Sequence, residues 1–186
     1  MEQANDGSII RTERLVLRPH RFEDLDDVLA YATDETWSRY LPVPQPYTRD
    51  DGVQFLASCV LTDWDVNPRW AMEHDGRCSG GINLRLAGDN VAEIGYSLAP
   101  WLWGQGVTAE AVAGVLDWAF PNLDLVRVMA TVDPENRQSW RVMEKLGMTR
   151  EGHLRSARTV RGQRRDDYVY GLLRTEWETQ RQTRQG

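Results

Sequence analysis

The stretch Trp101-Leu102-Trp103-Gly104-Gln105-Gly106-Val107-Thr108-Ala109-Glu110-Ala111 restricts the possible folds of this chain more than any other. Before it, Val91 to Leu98 alternates apolar and polar residues, which predicts a strand closed by Pro100. After it, Val112, Val115, Leu116 and Ala119 recur at helical spacing, and Pro121 marks the expected stop. Leu125 to Val132 is the next strand-like run. A strand–helix–strand crossover of this length implies that the two strands lie parallel. Gly104 and Gly106 therefore sit on a strand-to-helix turn. The first amides of that helix have no internal partners, and glycine lets a ligand approach them closely. The helix dipole favours an anion at the same end, so the turn reads as a phosphate cradle. An ordinary tight turn is the plainer reading. A dinucleotide fingerprint would need a third glycine where Ala109 stands, and no Lys follows as a P-loop requires.

Three strands precede the cradle. Trp70 to His74 and Gly81 to Leu86 flank Asp75-Gly76, a type I′ hairpin signal, and Gly88-Asp89-Asn90 turns the chain into Val91 to Leu98. Leu15 to Arg18 reads as a first strand, Glu23 to Tyr31 as a helix with acids in its first turn. Tyr40 to Tyr47 carries three prolines and must be an extended loop. Arg49 to Leu61 is helical, with Val53, Leu56, Ala57 and Val60 on one face. Later, Asp133-Pro134 is a helix start with Asp as cap, and Gly147 is its stop. Met148 to Arg158 and Gln163 to Leu173 are two further strands, and Trp177 ends a short terminal helix. The whole is one domain over residues 8–180, with tails at 1–7 and 181–186.

Twenty-two basic and 28 acidic residues leave a formal charge of -6, without the basic stripe of a nucleic-acid binder. No apolar run approaches the ~20 residues of a membrane span. Cys59 and Cys78 lie far apart without metal spacing, and no signal peptide is evident, which suggests a reduced, cytoplasmic protein. The chain lacks a G-x-S-x-G elbow and H-x-x-x-H or C-x-x-C spacing, so neither serine hydrolysis nor a zinc site is expected.

A second segment gives the cradle its context: Asp133-Pro134-Glu135-Asn136-Arg137-Gln138-Ser139-Trp140-Arg141-Val142-Met143-Glu144-Lys145-Leu146-Gly147-Met148. Together with Glu93-Ile94-Gly95-Tyr96 and the turn, it resembles the GNAT superfamily of N-acetyltransferases, and within it the ribosomal-protein N-terminal acetyltransferases. The resemblance runs from about Arg11 to Trp177. It implies a mixed α/β fold, with antiparallel strands followed by a parallel crossover at the CoA site. It implies acetyl-CoA as co-substrate, no metal, an amine acceptor, and a monomer or homodimer. The family's turn reads Gln/Arg-x-x-Gly-x-Gly/Ala; here those key positions hold Trp103, Gly106 and Thr108. Phosphate binding would thus rest on backbone amides from Gly104, Gln105, Gly106, Val107, Thr108 and Ala109, with Thr108 a candidate helix cap.

The same resemblance assigns Asn136 to the pantetheine arm and Ser139 to the sulfur. It brings the strand edge at Tyr96, Ser97 and Leu98 to the arm's amides, and a backbone N–H there to the carbonyl. Trp37, Tyr40 and Tyr47 are candidate walls of the acceptor pocket, or core aromatics. Two glutamates compete as general base: Glu93 on the strand before the cradle, and Glu151 next to Gly152. Glu93 is the preferred one, acting through water. The acceptor is the N-terminus of a ribosomal or other protein, or a small amine. A non-catalytic acyl-CoA sensor is the alternative from a different class.

Overall fold

The computed structural model describes residues 9–185. It is built on one eight-stranded sheet in the order β1-β2-β3-β4-β5-β6-β8-β7. The strands are β1 Ile10–Arg11, β2 Val16–Pro19, β3 Arg69–His74, β4 Arg77–Gly88, β5 Val91–Leu98, β6 Arg127–Val132, β7 Thr149–Val160 and β8 Gln163–Leu173. The helices are α1 Leu25–Ala32, α2 Glu35–Ser38, α3 Arg49–Val60, α4 Val107–Asn122, α5 Arg137–Lys145 and α6 Arg174–Gln185. All strand pairs are antiparallel except β5 with β6, the crossover carried by α4. This is the mixed architecture expected from the strand–turn–helix–strand signal.

Strand alternation divides the core. Trp70, Met72, Ile82 and Leu84 join Val112, Val115 and Leu116 of α4 in the larger cluster. Ala71 points the other way, to Val28, Tyr31 and Leu56 of α1 and α3. Successive side chains of β3 thus serve opposite faces, as a strand covered on both sides requires.

The decisive irregularity lies between β5 and β6. They pair only over Val91 to Glu93 against Arg127 to Met129. Past Glu93, β5 stays on β4 as far as Leu98, opposite Gly80, while β6 follows β8 to Val132. A V-shaped gap opens, and the edge of β5 from Ile94 to Leu98 faces it.

Several boundaries differ from the sequence reading. Pro121 lies inside the last turn of α4, which closes with the Leu123 N–H on the Ala119 carbonyl at 2.9 Å. Thr108 does not cap α4, because Gly106 holds that position in the left-handed region at φ 77. Asp133 does not cap α5. Its carboxylate binds the Glu135 N–H in a tight turn, and Asn136 caps the helix by accepting from the Ser139 N–H at 3.2 Å. Helix α6 continues past Trp177 to Gln185, so 181–185, expected as tail, are helical. Strand β1 was not anticipated, since two residues are too few for a periodic pattern. The tail expected at 1–7 lies outside the described residues.

Candidate active site

Helix α4 begins at the mouth of the gap. A β-carbon on Gly106 would find ordinary contacts, 3.7 Å from Lys145 Nζ and 3.8 Å from Arg14 Nη2. Conformation, not space, therefore selects glycine there, because φ 77 costs a side-chain-bearing residue about 1–2 kcal/mol. The first bond inside the helix runs from the Glu110 N–H to the Gly106 carbonyl, leaving the amides of Val107, Thr108 and Ala109 for another acceptor. The β1–β2 turn fixes the cradle from behind. Arg14 bonds the Gln105 carbonyl at 2.9 Å and the Glu110 carboxylate at 2.7 Å, and Thr12 bonds Glu110 at 2.5 Å.

Two cavities open from the gap. The larger, about 750 Å³, is lined by the cradle, by Tyr96 to Leu98 and by one side of α5. Every residue expected at the CoA site lines it except Gln105, whose side-chain amide binds the Trp101 carbonyl instead. Trp103 stands in its wall, with Nε1 donating to the Leu98 carbonyl at 2.7 Å. Arg39, Arg137, Arg141 and Lys145 also line this cavity. With Glu135 as the acid of that lining, the cavity carries a local surplus of positive charge in a chain of net charge -6.

The smaller cavity, about 480 Å³, lies between the sheet and α1 and α3. Its aromatic walls are Trp37, Tyr40, Tyr47 and Phe55, and its polar groups include His20, Arg69, Asn83, Asp133 and Arg158. Trp37, Tyr40, Tyr96, Ser97, Asn136 and Ser139 line both cavities, so the two meet at those residues.

Tyr96 and Ser139 are bonded to one another at that junction. The Ser139 hydroxyl donates to the Tyr96 oxygen at 3.1 Å, and the Tyr96 hydroxyl donates to the Ser139 carbonyl at 3.0 Å. Desolvation by the surrounding protein pushes the phenol up to about 12, so it remains protonated at neutral pH. The sequence reading placed Tyr96 on the strand edge but missed that its hydroxyl reaches across the gap to α5. Only the splay of β6 brings the two together.

The two glutamates are placed differently. Glu93 lines neither cavity. Its carboxylate pairs with Arg85 and accepts from Thr131 Oγ1 at 3.1 Å, and Thr131 does line the smaller cavity. Glu151 forms a forked ion pair with Arg127 on the sheet's β7 side and also lines neither cavity. The Arg127 hydrogen bond holds the Glu151 carboxyl below the ordinary value, which keeps it an ion-pair partner.

Asp133 and Arg158 escaped the sequence reading. Asp133 is 3% exposed; its second oxygen faces Arg158 at 4.0 Å and Arg165 at 3.9 Å. Arg158 in turn bonds Asp167 at 2.8 Å. An Asp-Pro pair at a strand end looks like a helix start, and nothing in the sequence brings Arg158 against it. Among the described residues, no helix is long and apolar enough to cross a membrane.

The structure thus brings together a glycine turn at a helix N-terminus, a splayed parallel pair and a hydroxyl couple between two cavities. Residues 14–149 match the family described as Acetyltransferase (GNAT) domain, and the chain belongs to that family. It is an N-acetyltransferase, moving an acetyl group to an amine nitrogen. The uncharacterized N-acetyltransferase YnaD of Bacillus subtilis (strain 168) is 30% identical over 168 residues, covering 90% of this chain and 98% of the relative. The putative ribosomal N-acetyltransferase YdaF of the same organism is 34% identical over 128 residues, 64% of this chain and 69% of YdaF. A GNAT-family acetyltransferase structure from Bacillus anthracis is 30% identical with a TM-score of 0.80, covering 89% of this chain and 98% of that one.

Proposed function

We propose that this chain transfers the acetyl group of acetyl-CoA to a primary amine that enters through the smaller cavity. The observation that carries the reading is the meeting of the two cavities at the Tyr96–Ser139 couple beside the free edge of β5. The residues present fit the co-substrate. Free amides of Val107 to Ala109 and the cations Arg137, Arg141 and Lys145 suit its phosphates, and the edge from Ile94 to Leu98 suits its amides. When bound, acetyl-CoA supplies an activated acyl group whose C–S bond breaks as the C–N bond forms.

The chain's own groups handle protons and alignment. Tyr96 gives its phenolic proton to the departing thiolate, the Ser139 hydroxyl bonds the phenolate oxygen that forms, and the phenol regains its proton from solvent once the products leave. Such acid assistance contributes about 10²–10⁴-fold, and alignment of the reactants more. The proton released by the amine passes by water and Thr131 toward Glu93, which makes Glu93 the base and leaves Glu151 to its ion pair with Arg127. The aromatic walls at Trp37, Tyr40 and Tyr47 shape the acceptor's path. The similarity to YdaF, a putative ribosomal N-acetyltransferase, favours a ribosomal acceptor. The 480 Å³ volume of the smaller cavity favours a small amine or only the first few residues of a peptide.

Thiol release from acetyl-CoA against a panel of peptides and small amines tests the reading. A thermal shift with acetyl-CoA accompanies it, since ligand binding raises stability by RT ln(1 + [L]/Kd). Turnover with one class is the expected result. Binding without turnover on any amine would support a sensor instead, and no binding at millimolar acetyl-CoA would end both readings.

A further inference from the structure

The acceptor cavity holds a cation with no acid to answer it. Arg158 is matched by Asp167 at 2.8 Å and faces Asp133. Arg69, on β3 in the same cavity, has only neutral partners among the described residues. Its Nη1 donates to Ser58 Oγ at 3.2 Å and to Cys59 Sγ at 3.8 Å. With the Asn67 amide turned to present its oxygen, that oxygen accepts from Nε and Nη2 at 3.0 Å each. A guanidinium has five N–H donors. Four are thereby engaged by uncharged groups, which leaves one donor and a positive charge with no carboxylate partner in a residue that lines the cavity. His20 adds no second positive charge beside it, because burial drives its pKa down to about 4 and keeps it neutral. In a chain of net charge -6, a half-buried cation without a carboxylate is unusual placement.

The floor between Arg69 and the reaction centre is kept low. Arg69 pairs with Asn83, and Asn83 with Gly95, so the three form one row across β3, β4 and β5. A β-carbon on Gly95 would come within 2.9 Å of the Asn83 side-chain oxygen. Gly95 thus gives the Asn83 side chain room to lie against the sheet, and Arg69, Asn83, Gly95, Tyr96 and Ser97 all line the one cavity. β3 and β5 are two strand spacings apart, about 10 Å.

We propose that Arg69 is a specificity residue that binds a carboxylate on the acceptor, set several bonds away from the amine that is acetylated. The inference rests on the acetyl-transfer reading above. Two strand spacings suit a carboxylate held several bonds from the amine better than the α-carboxylate of a free amino acid. That span fits an ω-amino acid, or a peptide N-terminus with an acidic side chain near it.

Paired acceptors test this. One pair is ω-aminohexanoate and ω-aminohexanamide; another is a short peptide with Asp or Asn at its second position. Wild-type protein should favour the carboxylate member of at least one pair by about tenfold to a hundredfold in kcat/KM, as a charge-assisted hydrogen bond implies. The pair that shows the preference identifies the source as small molecule or peptide. Glycine and alanine should be poor acceptors. Arg69→Gln should abolish the preference and Arg69→Lys restore part of it. If Arg69 only braces α3, Arg69→Gln will lower both members equally, which overturns the proposal. Equal kcat/KM in wild type also overturns it. Calorimetric Kd values for the same compounds, with acetyl-CoA bound, read the preference without turnover. A charge preference in Kd without acetyl transfer would keep this proposal and remove the catalytic reading; transfer without the preference would do the reverse.

Discussion

At the residue scale, two positions carry most of the consequence. The Tyr96 hydroxyl spans the gap to Ser139, and its raised pKa keeps the proton available through neutral pH. Tyr96→Phe should lower kcat by about a hundredfold, within the usual range for lost acid assistance. The acetyl-CoA Kd, read by calorimetry, should stay within about threefold. Ser139→Ala should cost less, about tenfold, because the phenol remains. Gly106 is the other position. Gly106→Ala forces a side chain to hold φ 77 and should lower stability by about 1–2 kcal/mol. If the turn relaxes, the amides of Val107 to Ala109 swing away and the acetyl-CoA Kd should rise at least tenfold. A Gly106→Ala protein with unchanged Kd would mean that the cations, not the amides, hold the phosphates.

At the element scale, the segment from α2 through the Pro-rich loop forms a wall that both cavities share. Its backbone is held from outside. Arg161, at the β7–β8 turn, donates to the carbonyls of Ser38 at 3.1 Å, Arg39 at 2.8 Å and Leu41 at 3.3 Å. Arg158 adds the Tyr40 carbonyl at 3.2 Å, and the Tyr40 hydroxyl reaches the Glu135 carbonyl at 3.3 Å. The β7–β8 hairpin thus clamps a segment more than a hundred residues earlier in the chain. Arg161→Ala removes three of these bonds without touching either cavity. It should raise KM for both substrates about threefold to tenfold and lower the melting temperature only slightly. Increased proteolysis between Ser38 and Tyr47 is the direct check, since the freed carbonyls leave that segment less protected.

At the scale of the whole molecule, stability is tied to groups that the chemistry leaves aside. His20 is buried and neutral, and its Nδ1 sits 4.0 Å from Asp24. Its pKa falls from 6.5 to about 4 on folding. The unfolded chain therefore binds the proton more readily between those values, and stability falls as pH drops from 6.5 toward 4. The loss is on the order of 3 kcal/mol. Burial opposes ionisation of Asp24, but the Arg18 hydrogen bonds outweigh it and hold its carboxyl low. Its contribution is present above 3.8 and is lost only below that, so the His20 window stands apart. Urea unfolding at pH 7 and pH 5 should show the drop in wild type and a flatter profile in His20→Gln. Helix α6 is a second global determinant. Trp177 is 2% exposed in the main core, and Nε1 bonds Asp117 of α4 at 2.9 Å. Trp177→Ala should cost about 3–5 kcal/mol in the same measurement.

Local chemistry wrote much of this protein legibly. The strand, the paired glycines and the helical spacing of Val112, Val115 and Leu116 determined a crossover with a cradle at its turn, because each signal acts within a few residues. The Asp75-Gly76 hairpin followed for the same reason, with both residues at positive φ. Periodicity and turn chemistry were therefore enough for the parallel crossover and its glycine turn, while the fold class came with the resemblance carried by that turn and the Asp133 to Met148 segment. What the sequence could not decide was which charges find each other. Glu93 and Glu151 look alike as acids on strands, yet one bonds a residue of the smaller cavity and the other is taken up by Arg127. Asp133, Arg158 and Arg69 came to line a single cavity from the end of β6, from within β7 and from the start of β3. Those encounters depend on strand order, on where β5 and β6 part, and on partners 24 to 118 residues away. Long-range pairing is set by packing of the whole sheet, and only the tertiary structure holds it.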